Sequence, residues 1–263
     1  MGFLMDYQDT IKSLKINIKR NIGTVILVVE GEEYEFKLLK KIFRDILHYQ
    51  LLTKKRGQNK FKEYNEFVMK GNENSRVIII NTKNSNIGTI ENDNEYRNEL
   101  YKLMYEKYGL DTKNIPIYFI WDRDSESNKT EIVIKLLKKL TSPYENEEYE
   151  NGLLLLSYPC CESYTISCFE KEKNIVQEDI KKYLIKNNYD VSRIDRYKIQ
   201  YAALEMIKKI KRFGINFSLK NISFINIRVF EKEEEYFKKN ENYILISFIS
   251  VILIDLGVIT FRD

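Results

Sequence analysis

Four acidic residues stand where an apolar strand pattern gives way to a turn. Glu30 follows Thr24–Val29 (TVILVV), Asp122 and Asp124 follow 116–121 (PIYFIW), and Glu162 lies just beyond 153–157 (LLLLS). In parallel strands these positions fall on one edge of the sheet, the edge at which open α/β sheets bind ligands, so the four carboxylates can converge. Asp122 and Asp124 are two apart and in extended chain share a side, with Arg123 directed away. Close carboxylates repel and take up protons unless a cation compensates them, and hard oxygen ligands of this kind suit Mg²⁺ or Mn²⁺. In phosphodiester chemistry such an ion activates water and stabilises charge on the attacking and leaving oxygens. With 39 Asp and Glu in the chain, any one of these positions alone reads as an ordinary turn or cap. Three coincidences at Glu30, Asp122 and Asp124 favour function over that plainer reading, and Glu162 follows them. Glu35, on the first turn and a half of the next helix, either joins the site or lies on a solvated face.

The elements that must position these acids are legible from periodicity. Gly31 frees the turn after Glu30, because without a Cβ it adopts backbone conformations that other residues resist. Phe36, Leu39, Ile42, Phe43, Ile46 and Leu47 recur at three and four and predict an amphipathic helix packed on the sheet. The segment 48–71 reads as a strand and a basic loop, Thr53-Lys54-Lys55-Arg56-Gly57. The run 76–81 (RVIIIN) is a buried strand. Tyr96, Leu100, Leu103 and Met104 mark a second helix that stops at Gly109, and Val133, Leu136, Leu137 and Leu140 mark a third. Pro159 breaks the fourth strand, and a helix starting near Cys161 puts Glu162 in its first turn. The βαβαβα rhythm predicts an α/β fold with a mainly parallel sheet flanked by helices. After Phe169 the sequence turns Lys-rich and helical, with a long helix over about 192–213 ended by Gly214. The expected organisation is an N-terminal extension (1–23), a catalytic domain (24–169) and a mostly helical C-terminal part (170–263).

Composition narrows the chemistry. The 263 residues carry 43 Lys and Arg against 39 Asp and Glu, a net charge of +4, which only weakly favours a polyanionic partner. Lys181, Lys182, Lys186, Arg193, Arg196, Lys198, Lys208, Lys209, Lys211 and Arg212 crowd one stretch, interleaved with Tyr183, Tyr189, Tyr197 and Tyr201. Phosphate contacts and base stacking are the functional expectation for that stretch, and a solvated basic helix is the plainer one. Cys160, Cys161 and Cys168 are odd in number and have only His48 to join them, so zinc is not expected and a reduced, cytoplasmic setting is. The shortage of histidine leaves acid–base work to carboxylates, lysines and metal ions. The apolar run 243–254 is too short for a bilayer span, which needs about twenty residues, and is expected inside the core.

The motif VVEGEEYE at 28–35, followed by FIWDRDSE at 119–126, resembles the two signature motifs of Toprim domains. That fold serves topoisomerases, bacterial primases, recombination proteins and overcoming-lysogenization type nucleases. More narrowly, Glu30-Gly31 with Glu35 five residues on, Asp122-Arg123-Asp124, and Pro159 with Glu162 before an aromatic are similar to RloB-like Toprim proteins and related abortive-infection nucleases. The resemblance covers roughly 24–169. It implies an Mg²⁺- or Mn²⁺-dependent nuclease of RNA, tRNA included, or DNA. Glu30 would be general acid or base or a shared metal ligand, Asp122 and Asp124 would bind the ion, and Glu162 would complete the site. It further implies a role in anti-phage defence beside an ATPase partner. The alternative is a module that binds nucleic acid or nucleotide with Mg²⁺ and does not cleave.

Overall fold

The computed structural model of the chain describes residues 14–30, 33–56, 61–82, 93–110, 112–123, 129–144, 152–170 and 179–261. Four parallel strands form the centre of the sheet. Strand β2 (Thr24–Val29) lies between β5 (Asn72–Thr82) and β6 (Ile117–Asp122), and β6 pairs in turn with β8 (Gly152–Tyr158). Val25–Val29 and the facing residues of β6 and β8 are buried on both sides of the sheet, which is why these strands read as continuous apolar runs rather than alternating ones. The register sets Val29 against Ile120 and Asp122 against Ser157, so the three strands end close to one line.

The sheet as a whole is mixed, not mainly parallel. The segment expected to be a strand and a basic loop is a hairpin, β3 (Tyr49–Arg56) and β4 (Phe61–Met69), and β4 runs antiparallel to β5. Thr53 to Arg56 therefore lie in a strand. Lys70-Gly71 makes the β4–β5 turn, with Gly71 at φ +81°. The physical reason is that β3 is an edge strand, where exposed and charged positions discourage further pairing and mask the apolar alternation. On the far side, short antiparallel strands β7 (Thr141–Ser142) and β9 (Ile246–Ser247) both pair with β8.

Helix α1 (Tyr34–Lys40) continues as a π-helical stretch over Lys41–Ile46 and buries all six residues of the predicted apolar stripe. Helix α2 (Asp93–Tyr108) ends before Gly109, whose φ of +66° lets the chain leave the helix. Helix α3 (Thr130–Lys139) buries Val133, Leu136 and Leu137, with Leu140 just beyond it. Helix α4 (Glu162–Phe169) starts three residues after Pro159 and places Glu162 in its first turn.

Past Phe169, residues 171–178 lie outside the described set. Helices α5 (Ile180–Lys186), α6 (Arg196–Arg212), α7 (Ile222–Asn240) and α8 (Ile249–Asp255) then follow. Asp195 caps α6 through the N–H groups of Tyr197 and Lys198. The apolar run near the end supplies β9 and α8, and among the described residues no helix is long and apolar enough to cross a membrane. Ile199, Ile210, Val229, Phe230 and Val251 belong to one core with the central strands. A two-stranded ribbon joins the ends of the described chain, β1 (Leu14–Ile16) antiparallel to β10 (Ile259–Phe261).

Gly152, at the start of β8, packs closely against Phe119 of β6 and Leu140. A Cβ there would stand 2.7 Å from Phe119 Cε2 and 3.0 Å from Leu140 Cδ2. Gly152→Ala is expected to lower stability by about 1–3 kcal/mol, since the ring it meets is itself packed in the core. Urea unfolding followed by circular dichroism measures this, and an unchanged midpoint would contradict the packing.

Candidate functional site

The ends of β2, β6 and β8 and the starts of α1 and α4 meet at one edge of the sheet. Glu30 follows β2, and its Oε2 accepts the N–H of Asp122 at 3.0 Å. The Glu30 N–H donates to the Ile120 carbonyl at 3.3 Å, so Glu30 extends the parallel pairing by one residue. Asp122 ends β6, and its Oδ1 accepts the N–H of Cys161 at 2.7 Å, from the turn that opens α4. Glu35 on α1 and Glu162 on α4 are both buried, at 6% and 7% exposure.

Asp122 registers this crowding. Its carboxyl is pushed well above the usual carboxylate range, first by burial and then by the negative charges of Glu35, Glu30 and Glu162, with the Cys161 N–H opposing. Four of the five expected site acids are thus brought together, Glu30, Glu35 and Glu162 all acting on Asp122. Asp124 and Gly31 lie outside the described residues. Glu35 belongs to the cluster and not to a solvated face. Among the described residues no three His, Cys, Asp or Glu side chains stand as a closed metal-ligand set. The donor set is all carboxylate oxygen and strongly negative, with backbone N–H groups taking one oxygen each from Glu30 and Asp122. That chemistry fits a hard divalent cation and no soft one.

Arg123, the residue between the two aspartates, is nearly fully buried, and sequence patterning missed its partner. Its guanidinium forks onto Glu234 of α7, Nε to Oε1 at 2.9 Å and Nη2 to Oε2 at 3.0 Å. Thr130 and Tyr243 hydroxyls donate to the same carboxylate, at 2.9 and 3.0 Å, and the guanidinium lies over the rings of Phe230 and Tyr243. A bidentate pair of this kind fixes direction as well as charge. It anchors the segment that carries Asp122 to the C-terminal helices.

The basic stretch divides into three groups. Lys181, Lys182, Arg193, Arg196, Lys211 and Arg212 are exposed. Lys198 pairs with Asp195 at 3.0 Å and Lys208 with Glu205 at 3.1 Å. Lys209 is not part of any polymer surface: it is 3% exposed, and its Nζ donates to Ser167 Oγ at 3.2 Å and to the Leu245 carbonyl. It follows Ala202 and Met206 on the buried stripe of α6, so helical period places its ammonium inside.

Comparison with protein-family models, with curated proteins and with solved structures returned no match to this chain.

Two predictions follow from the buried charges. Lys209→Glu should cost about 3–5 kcal/mol of stability, as expected for breaking a buried, hydrogen-bonded charge, while Lys211→Glu stays within about 0.5 kcal/mol. Equal effects in urea unfolding would contradict the placement of Lys209. Glu233 on α7 is buried, accepts the Ile244 N–H at 3.0 Å through Oε2 and has no hydrogen-bond partner at Oε1 among the described residues. Burial pushes its carboxyl up to about 8, against the opposing pull of the Ile244 N–H and Lys209. Because the folded value is raised, the stability it contributes is complete below the ordinary carboxylate range and is lost as pH climbs through about 8. Glu233→Gln should therefore raise Tm relative to the parent increasingly as pH rises, with the gap closing in acid. A gap that is constant with pH would contradict it.

Proposed function

We propose that this protein is a Toprim-type, Mg²⁺- or Mn²⁺-dependent nuclease that hydrolyses phosphodiester bonds in RNA or DNA. One observation carries the reading: at the end of a central parallel strand Asp122 gives its N–H to the Glu30 carboxylate at 3.0 Å and takes the Cys161 N–H at 2.7 Å, with the buried Glu35 and Glu162 close enough to push its carboxyl up. A carboxylate cluster of that density is costly for a protein that only binds a polyanion, since it repels phosphate, and is put to use when a cation bridges the two. The motif resemblance around Glu30-Gly31 and Asp122-Arg123-Asp124 supports the same reading. The same resemblance extends the proposal to anti-phage defence in the cytoplasm beside an ATPase partner.

Asp122, Asp124 and Glu162 would hold the ion, with Glu30 at its side. When bound, it supplies an activated water and charge stabilisation on the attacking and leaving oxygens. Glu30 takes the proton of the attacking water or returns one to the leaving oxygen as the O–P bond forms and the ester P–O bond breaks. The Asp122 N–H at 3.0 Å holds the Glu30 carboxylate in place for that transfer. Arg123 and Glu234 orient the segment that carries Asp122 and do not touch the substrate.

The test is cleavage of tRNA, single-stranded RNA and duplex DNA by the full chain with Mg²⁺, Mn²⁺ or EDTA. Glu30→Gln should keep polymer binding and lower turnover by a factor of about 10²–10⁴, because the amide cannot exchange a proton. Asp124→Asn should weaken both metal affinity and cleavage. Cleavage that persists in EDTA, or binding without metal-dependent turnover in the parent protein, would replace the nuclease with a non-cleaving binding module.

A further inference from the structure

A cleft of about 660 Å³ opens directly beside Glu162, between α1 and α5. Its size falls within the roughly 300–1,000 Å³ of small-molecule sites. Two aromatic residues line it, and both are fixed. Tyr34 donates its hydroxyl to Thr165 Oγ1 at 2.7 Å. Tyr189 stacks on Phe169 with ring centroids 4.6 Å apart and planes 6° apart, and its hydroxyl donates to Glu170 Oε1 at 2.6 Å. Leu184 and Ile185 add apolar wall, Lys37 and Lys181 add positive charge, and Glu33, Glu162 and Asp190 add negative charge. Lys37 shares its charge with Asp190 at 2.9 Å, while Lys181 is exposed and makes no ion pair among the described residues.

This combination has a specific chemistry. Rigid rings and aliphatic side chains accept the flat apolar face of a base, and ammonium groups accept the phosphate attached to it. A paired base is unavailable to such a wall, because in a duplex both of its faces are covered by stacking. Glu162 belongs both to the cleft lining and to the groups acting on Asp122, so a nucleotide seated in the cleft places the adjoining phosphate next to the acids.

We infer that the cleft seats one unpaired nucleotide of a single-stranded polynucleotide, the base against Tyr34 and Tyr189 and a phosphate toward Lys181 and Lys37. This delivers the neighbouring phosphodiester to Glu30, Asp122 and Glu162. The inference rests on the nuclease reading of those acids for its purpose, but not for its binding test.

The test is fluorescence anisotropy of the full chain in EDTA with labelled oligouridylate, oligothymidylate and a duplex of matched length. Comparison of the two homopolymers distinguishes RNA from DNA. Ile185 is 81% exposed and Lys181 is exposed, so substitution of either leaves the fold intact. Lys181→Glu and Ile185→Asp should each weaken single-strand binding at least about tenfold, the scale of one stacked base or one lost phosphate contact, whereas Ile185→Lys binds at least as well as the parent. Lys220→Glu, outside the cleft lining, should change nothing. With metal present, the two cleft variants should raise KM and keep kcat. Parent-like single-strand affinity in both variants, or an equal loss on duplex, would overturn the cleft. Cleft-dependent binding without cleavage in any metal would support the cleft and sink the nuclease. Cleavage with parent-like kcat/KM in both variants would do the reverse.

Discussion

The mutual repulsion of carboxylates in a buried place is the constraint on which this structure turns. Asp122 and Glu30, both half-buried, sit beside the buried Glu35 and Glu162, and the Asp122 carboxyl is pushed up first by desolvation and then by those three charges. The fold offsets part of that cost with backbone dipoles: the Asp122 N–H on Glu30 and the Cys161 N–H on Asp122. Both donors exist because the strands are parallel and end together, so that the chain leaving β6 and the turn entering α4 present amides to acids on neighbouring strands. Sheet register and site electrostatics are thus one arrangement. A cation bridging the acids would complete the compensation that the amides begin.

A second set of charges holds that arrangement from below. Arg123 faces Glu234 while its neighbour Asp122 faces the acids, which is the two-sided alternation of an extended chain used to link site and scaffold. Through this pair, with Thr130 and Tyr243 closing on the same carboxylate, α7 becomes a structural partner of the β6 end. Lys209 and β9 bind the C-terminal helices to the rest in the same way, from inside. Apolar residues of α6 to α8 share one core with the central strands, which makes the C-terminal third part of the site's support.

What could be read from the sequence was what local pattern determines. Continuous apolar runs revealed β2, β6 and β8, three- and four-residue spacing revealed α1 and α3, and Pro159 placed the start of α4 and with it Glu162. Glu30, Asp122 and Glu162 were visible because a charge at the end of an apolar run contrasts with what precedes it. The β3–β4 hairpin was missed because an edge strand carries polar residues that dilute the two-residue period. Lys209 was misread, and the partner of Arg123 missed, for a different reason: a buried charge is identified by its partner, and Leu245 and Glu234 lie 36 and 111 residues away. No local window contains that information. The cleft between α1 and α5 is likewise a product of tertiary packing: Tyr189 stood out with the basic stretch, but no local pattern joins it to Tyr34.

The central claim is that these acids gather around a divalent cation, and anomalous diffraction from crystals soaked in Mn²⁺ tests it most directly. The account predicts an anomalous peak within coordination distance of Asp122 and Glu162, on the side where Glu30 stands, and loss of that peak in Asp122→Asn crystals. No peak among these carboxylates at a Mn²⁺ concentration that supports cleavage, or a peak ligated by other residues, would contradict it.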